Sequence, residues 1–301
     1  MRNATIETLY QEAVRDSRIC FFTGDFQHVR EKEFIALGGR YQNAGMAEQN
    51  IIGLATGVAL SGKKAFVYSI IPFITLRCIE QIKVDVCSME ADVTIIGGGA
   101  GFTYGTCGPT HLAIEDIAMM RALPHMKIVS PSGPAEACAL TRDIVRVGGP
   151  AYIRLNKRGE VDLHNKMPRF GEAMIVREGK DICIMATGTI LAEALKVADI
   201  LSAKGISVEV VNIHTIKPLD EYFIKGRSFS RQFIFTLEEH SVIGGLGGAV
   251  AEVLAETRGT SRFKRFGVSD EWPSVVGSQK YLRDIVGLSG EKVAVAIEKL
   301  L

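Results

Sequence analysis

Short apolar runs alternate with longer amphipathic segments along most of the chain, and this alternation limits the possible folds more than any other feature. Runs such as Val93–Ile96 and Ile182–Ala186 have the length of buried strands. Segments such as Glu48–Ser61 and Pro134–Val147 repeat apolar residues at helical spacing. Strands that alternate with helices are typical of α/β proteins. We therefore predict mainly parallel sheets flanked by helices.

The same patterns assign most of the remaining elements. Further predicted strands are Ile19–Phe22, Ala65–Tyr68, Lys127–Ser130, Ala151–Leu155, Val208–Val211 and Phe233–Leu237. Further predicted helices are Thr5–Asp16, Ile74–Ser88, Ile114–Ala122, Ile190–Ala203, Gly245–Thr257 and Glu291–Leu301. A polar stretch without periodicity, Asn156–Phe170, interrupts the alternation. For 301 residues this predicts two α/β domains, 1–160 and 173–301, joined by a linker over 161–172.

Charge and cysteine content exclude several classes of protein. Lys and Arg total 35 against 34 Asp and Glu, and such a balance argues against binding of nucleic acid or an anionic membrane. No apolar run approaches the roughly 18 residues of a membrane-spanning helix, and Met1–Asp16 lacks the apolar core of a signal peptide. The six cysteines form no C-x-x-C pair. We expect reduced thiols and a cytoplasmic location.

Two glycine-containing stretches look like nucleotide-binding loops but do not have the required spacing. Gly57-x4-Gly62-Lys63 has Lys64 where a phosphate loop needs Ser or Thr, and Gly62 is better interpreted as a helix C-cap. The glycines of Gly244–Gly248 fit no G-x-G-x-x-G register. We expect them to allow close packing of a helix on a sheet. Beside them, Glu239 and His240 are either functional or a solvated pair at a strand end.

Two other stretches carry more information, Tyr41–Asn50 and Gly97–Asp116. In the first, a strand ends near Asn43 and Glu48 opens a helix, where a carboxylate complements the helix dipole. In the second, a glycine-rich loop leads through Gly108-Pro109-Thr110-His111 into a helix. An imidazole at a helix entrance suits a substrate mouth, although a structural histidine is equally compatible. Cys107 and His111 are too few to form a metal site.

Taken together, these motifs resemble a known family. The order N-x-G-[IM]-x-E, then an aromatic-bearing segment, then G-P-T-H-x-x-x-E resembles the second half of transketolase and is similar to 1-deoxyxylulose-5-phosphate synthase. The likeness continues through Tyr152-Ile153-Arg154, Glu238-Glu239-His240 and GGLGGAVAEVLAE. It therefore covers nearly the whole chain.

The resemblance implies a pyrimidine-binding domain followed by a transketolase C-terminal domain. The family's diphosphate-binding domain is marked by G-D-G, which does not occur here. The chain thus resembles the C-terminal subunit of a split transketolase, a transferase active only with a partner. The partner is expected to be an N-terminal subunit that binds the diphosphate of thiamine diphosphate and a Mg²⁺ or Ca²⁺ ion. An α2β2 heterotetramer with self-dimerisation is expected.

The resemblance also assigns site residues. Glu48 matches the glutamate that hydrogen-bonds the cofactor's aminopyrimidine, Phe73 the aromatic residue that packs on it, and Asp25 an aspartate near the cofactor. His111 corresponds to a catalytic histidine that faces the substrate's oxygen atoms. The remaining candidates for substrate contact are Arg77, Cys107, and Arg154 or Arg158, whose guanidinium groups suit a phosphate.

Two departures from the family pattern put the standard sugars in doubt. Cys107 stands where transketolases usually have an aspartate that binds a sugar hydroxyl, and Gly99 stands near a family histidine. A thiol is only a weak hydrogen-bonding group. We therefore predict transfer of a two-carbon ketol unit on a non-standard sugar. The alternatives are a carboligase that decarboxylates a 2-oxo acid, which Arg77 favours, and a non-catalytic scaffold half, which the presence of Glu48 argues against.

Overall fold

Two sheets, one of seven strands and one of five, organise the chain in a computed structural model that describes residues 1–25, 28–157 and 160–301. The strands are β1 (Ile19–Thr23), β2 (Tyr41–Asn43), β3 (Lys64–Ile70), β4 (Val93–Gly98), β5 (Lys127–Val129), β6 (Ala151–Leu155), β7 (Met174–Arg177), β8 (Ile182–Ala186), β9 (Val208–Asn212), β10 (Thr215–Lys217), β11 (Phe233–Ser241) and β12 (Arg262–Val268). The sheet orders are β10-β5-β6-β4-β3-β1-β2 and β12-β11-β8-β9-β7. All pairings are parallel except β10 with β5 and β7 with β9, which confirms the predicted fold class.

Helices connect and flank these strands. They are α1 (Arg2–Arg15), α2 (Glu31–Ile35), α3 (Glu48–Leu60), α4 (Ile71–Ile74), α5 (Ile79–Gln81), α6 (Asp116–Ala122), α7 (Pro134–Val147), α8 (Leu191–Ser202), α9 (Glu221–Ser228), α10 (Leu246–Ala255), α11 (Gln279–Ile285) and α12 (Gly290–Glu298). Local signals set several of their ends. Pro134 begins α7, and Gly62, with φ of 89°, follows the end of α3 as predicted. Among the described residues, no helix has the length and apolar character needed to span a bilayer.

Both faces of each sheet are buried at its central strands, which explains the continuous apolar runs of the sequence. In β1, Cys20 and Phe22 pack into one cluster while Ile19 and Phe21 pack into another. In β8, Ile182, Ile184 and Ala186 likewise face a different cluster from Cys183 and Met185. Successive side chains of a strand point to opposite faces, so each sheet lies between two apolar layers.

Two predicted helices differ from the structure. The segment predicted as one helix, Ile74–Ser88, is divided into α4, a 3₁₀ turn (Leu76–Cys78), α5 and a π-helical segment (Ile82–Cys87). Thr75 lies where α4 ends and the 3₁₀ turn begins, with φ of −110° and ψ of −76°, and its hydroxyl donates to the carbonyl of Ile71. The helix predicted from Ile114 begins at Asp116, since Ala113 pairs with Gly101 in an antiparallel bridge. His111 therefore lies in a turn and not at a helix entrance.

One strand crosses between the predicted domains. β10 belongs by sequence to the segment 173–301, yet it pairs with β5 at the edge of the seven-stranded sheet. The cis peptide between Lys217 and Pro218 lies at the end of β10. The two sheets are thus tied together by backbone hydrogen bonds and not only by the linker.

Candidate active site

A buried carboxylate lies where the strands of the first sheet end. Glu48 is the first residue of α3 and is only 2% exposed. One carboxylate oxygen accepts a hydrogen bond from the Ser69 hydroxyl at 3.0 Å, and the other accepts one from Arg77 Nη1 at 2.7 Å. Ser69 is near the end of β3, and Asp25 follows β1 at the same sheet edge with an exposed side chain. The pairing offsets the cost of burying the charge.

Arg77 connects Glu48 to an aromatic ring. Its guanidinium carbon lies 4.6 Å from the centre of the Phe73 ring while Nη1 bonds Glu48. The side chain is 47% exposed, and its backbone carbonyl accepts a hydrogen bond from the Gln49 amide. The Arg77 guanidinium therefore contacts both the Phe73 ring and the Glu48 carboxylate, which places these two groups close together.

Aromatic side chains continue this array away from Glu48. The Phe73 and His111 rings meet edge to face at 5.1 Å, and the centre of the Tyr104 ring lies 6.1 Å from that of His111. Lys157 Nζ lies 5.1 Å from the centre of the Tyr104 ring. Sequence reasoning missed Tyr104 and Lys157. A tyrosine inside the glycine-rich loop and a lysine just after a buried strand were the signals that could have identified them.

The glycine-rich loop is tightly packed and not simply flexible. A Cβ on Gly97 would crowd Ile71 and Tyr152, one on Gly98 would crowd the Tyr68 hydroxyl, and one on Gly99 would overlap the Tyr104 ring. Gly99 also has φ of 97°, a region that side chains disfavour. A side chain such as the family histidine therefore does not fit at Gly99 beside the Tyr104 ring.

Cys107 and His111 belong to one turn. Cys107 ends a 3₁₀ turn (Gly105–Cys107) with an exposed side chain, and the Thr110 hydroxyl lies 2.9 Å from His111 Nδ1. The other thiol of the site, Cys78, is buried. Burial, followed by the charge of Glu48, raises the pKa of Cys78 to about 12, so it is a neutral thiol.

The geometry does not support a substrate contact for Arg154. This side chain is 3% exposed, and its guanidinium bonds both oxygens of Asp116 at 2.7 and 3.2 Å. It also donates to the carbonyls of Ala113 and Glu239. Burial raises the pKa of Asp116, but the charge and hydrogen bonds of Arg154, together with His240 and the Tyr152 hydroxyl, hold that pKa below its usual value. Arg154 therefore has a structural role in the protein interior. The other arginine of the pair, Arg158, lies outside the described residues.

Glu239 and His240 are buried links between the two sheets and not a solvated pair. The Glu239 carboxylate accepts hydrogen bonds from the Phe102 amide at 2.5 Å and from Gln279 at 2.8 Å, and it also pairs with Arg283. It thereby fixes the start of the loop that carries Tyr104 and His111. The neighbouring glycines pack closely as predicted, because a Cβ on Gly245 would overlap Glu238.

Fold and site together define a two-domain α/β protein with a buried carboxylate at strand ends, and comparison with known families gives its class. The sequence matches the family described as "Transketolase, pyrimidine binding domain" over residues 1–159 and that described as "Transketolase, C-terminal domain" over residues 171–293. The chain belongs to the transketolase family, whose members depend on thiamine diphosphate.

Several relatives are parts of divided enzymes. A putative transketolase C-terminal section of Methanocaldococcus jannaschii is 40% identical over 85% of this chain and 81% of its own length. The 6-deoxy-6-sulfo-D-fructose transketolase subunit SqwH of Clostridium sp. (strain MSTE9) is 35% identical over 100% of this chain and 94% of its own. An apulose-4-phosphate transketolase subunit of Actinobacillus succinogenes is 35% identical over 84% of this chain and 82% of its own.

A solved structure agrees with these relatives. A split gene transketolase, described as an inactive beta4 tetramer, has a TM-score of 0.90 and 32% identity, and covers 99% of this chain and 97% of that one. The predicted identity as a subunit of a split transketolase, a transferase, is confirmed. A 1-deoxy-D-xylulose-5-phosphate synthase of Dictyoglomus turgidum is less similar, at 33% identity over 87% of this chain and 43% of its own length, which favours transketolase over the carboligase.

Proposed function

We propose that this chain holds the aminopyrimidine of thiamine diphosphate between Glu48 and Phe73 and, with a partner subunit, transfers a two-carbon ketol unit to an aldehyde. The observation that carries the proposal is the buried Glu48 carboxylate at the start of α3. The Arg77 guanidinium contacts both this carboxylate and the Phe73 ring, so the two groups lie close together. A planar heterocycle needs a hydrogen-bonding partner at its edge and an apolar face. Glu48 and Phe73 supply both, so the donor set fits the cofactor.

Each residue at the site has a separate role in the proposed reaction. When bound, thiamine diphosphate supplies the electron sink for breaking and forming the carbon–carbon bond. Glu48 hydrogen-bonds the pyrimidine edge and holds a proton there, while Asp25 lies near the cofactor at the same sheet edge. His111 faces the oxygen atoms of the sugar, and Phe73 beside it excludes water from the reacting carbon.

The substrate is a non-standard sugar that carries an anionic group. The thiol of Cys107 cannot replace a carboxylate's hydrogen bond to a sugar hydroxyl, which disfavours the ordinary pentose phosphates. Two relatives are named for 6-deoxy-6-sulfo-D-fructose and for apulose-4-phosphate, and both names include an anionic group. Arg77 is exposed and cationic at the site, and Arg158 remains a second candidate from the sequence.

The partner subunit supplies the rest of the cofactor site. We assign the diphosphate and its Mg²⁺ or Ca²⁺ ion mainly to an N-terminal transketolase subunit, in an α2β2 assembly located in the cytoplasm. The exposed face of α3 supports self-dimerisation, since Leu54 and Leu60 are exposed there and no atom lies within 4 Å of a Cβ built on Gly53 or Gly57. Tetramer formation by the similar split gene transketolase agrees with association of this chain with itself.

The test is substitution of Glu48 in the complex with the partner subunit. Glu48→Gln should lower kcat by at least about 100-fold, because an amide cannot hold the proton at the pyrimidine edge. Circular dichroism and co-purification with the partner should be unchanged. Glu221→Gln, an exposed substitution on α9, is the matched control and should retain full turnover. Wild-type turnover by Glu48→Gln would refute the assignment.

A further inference from the structure

The Arg77 guanidinium occupies the same two contacts that the proposed function gives to the aminopyrimidine. Its carbon atom lies 4.6 Å from the centre of the Phe73 ring, and its Nη1 donates to Glu48 Oε2 at 2.7 Å. We propose that Arg77 is an internal competitor of the cofactor and that it must leave Glu48 before the aminopyrimidine binds. This inference rests on the proposed function, since it uses the roles of Glu48 and Phe73.

The guanidinium and the aminopyrimidine have similar binding chemistry, so one can take the place of the other. A guanidinium is planar and delocalised, stacks on aromatic faces, and presents N–H donors at its edge. An aminopyrimidine is also planar and presents N–H groups at its edge. Each group can therefore stack on one face of the Phe73 ring while it donates to one oxygen of Glu48. The two groups cannot occupy the same face and the same oxygen at once.

The burial of Glu48 makes displacement necessary. The side chain is 2% exposed, so an incoming ligand reaches the carboxylate only if a neighbour moves. Of the two groups that hold its oxygens, Ser69 is fully buried in β3, whereas Arg77 is 47% exposed. Arg77 is therefore the group that can leave.

The Arg77 side chain can also return to water when it leaves Glu48. It is 47% exposed, whereas Arg154 is enclosed with Asp116. Arg77 lies on the 3₁₀ turn within the irregular segment 71–87 and is not fixed by a regular helix. Once displaced, its charge remains at the mouth of the site beside Phe73, where the proposed anionic sugar would enter.

The experiment measures cofactor affinity and not turnover. Isothermal titration of thiamine diphosphate with Mg²⁺ into the complex with the partner subunit would compare wild type, Arg77→Met and Arg77→Lys. We expect Arg77→Met to lower Kd about tenfold, since it removes one ion pair and one cation–π contact that compete with the ligand. Arg77→Lys keeps the charge but not the planar stacking group, and should lie between the two.

A matched control removes the same kind of contact elsewhere. The guanidinium carbon of Arg262, on the edge strand β12, also lies 4.6 Å from the centre of an aromatic ring, that of Phe233. Arg262→Met should leave the Kd for thiamine diphosphate unchanged. Thermal melts and co-purification of each variant would verify folding and assembly. An unchanged or higher Kd for a folded Arg77→Met complex would overturn the competition. A wild-type complex that fails to bind thiamine diphosphate at all would instead refute the proposed function, and this inference with it.

Discussion

At the scale of single residues, burial decides what a charged side chain can do. Arg77 and Arg154 are both arginines paired with a carboxylate, and both were predicted from the sequence as substrate contacts. Arg154 is enclosed with Asp116, whose other partner is the Tyr152 hydroxyl at 2.6 Å. Arg77 faces solvent. The first is therefore part of the architecture, while the second is available to ligands.

The buried pair predicts a large stability effect. Asp116→Asn should lower the free energy of unfolding by about 3 to 5 kcal/mol, because it leaves the Arg154 charge buried without its counter-ion. Urea unfolding at neutral pH would measure this loss. Asp284→Asn removes an exposed partner of Lys292 and should change the unfolding midpoint very little. Equal effects of the two substitutions would contradict the structural role of Arg154.

At the scale of elements, the end of β4 shows why a run of three glycines is needed. Each glycine in Gly97–Gly99 approaches a different tyrosine, and the last of these rings, Tyr104, belongs to the aromatic array of the site. The loop that carries His111 is thus positioned by close packing on the strand end. Flexibility of the loop, which the glycines alone would suggest, is not what they provide.

This packing predicts opposite outcomes for two glycine substitutions. Gly99→Ala should lower the free energy of unfolding by about 1 to 3 kcal/mol, because its Cβ overlaps Tyr104 and its φ is positive. Gly226→Ala lies inside α9 with no atom within 4 Å of the added Cβ and should stabilise by about 0.5 to 1 kcal/mol. Chemical denaturation of both variants is the measurement. Stabilisation by Gly99→Ala would be incompatible with the packing.

At the scale of the whole molecule, buried polar contacts join the two domains. Asn212 at the end of β9 donates to Glu136 of α7, and His240 Nε2 accepts the amide of Ala118 in α6 at 3.3 Å. Strand β10 completes the first sheet from the second half of the sequence. These contacts join elements of the segment 1–160 to elements of the segment 173–301.

The His240 contact predicts an acid-sensitive domain interface. Burial lowers the pKa of His240 from 6.5 to about 4, with Asp116 opposing and Arg154 assisting this shift. The folded state thus binds fewer protons than the unfolded state in this range. The contribution of His240 to stability is complete above about pH 6.5 and is lost as the pH falls toward 4.

Unfolding at pH 7 and pH 4.5 would test this dependence. His240→Gln keeps an acceptor for the Ala118 amide but cannot be protonated, so its loss of stability between the two pH values should be smaller than that of wild type by an amount on the order of 2 kcal/mol. Titration of groups away from His240 is common to both proteins and drops out of this comparison. His125→Asn, at an exposed histidine, should retain the wild-type difference. An identical pH dependence of His240→Gln and wild type would exclude the effect.

The sequence by itself was sufficient for features that depend on neighbours along the chain. The predicted bounds of Pro134–Val147, Ala151–Leu155 and Ile182–Ala186 agree with α7, β6 and β8, because periodicity and end signals are local. Gly62 as a C-cap follows for the same reason. The family motifs also single out Glu48 and His111 as site residues, since each lies within a short recognisable pattern, and their roles stay predictions.

Only the tertiary structure decided which distant residues meet. The burial of Arg154, the array of Phe73, His111, Tyr104 and Lys157, and the entry of β10 into the first sheet join positions far apart in sequence. The division of the helix predicted over Ile74–Ser88 placed Arg77 on a turn facing Glu48. Apolar periodicity records which face of an element is buried, but not which charged or aromatic partner lies there, because that depends on how the sheets and their connecting loops pack.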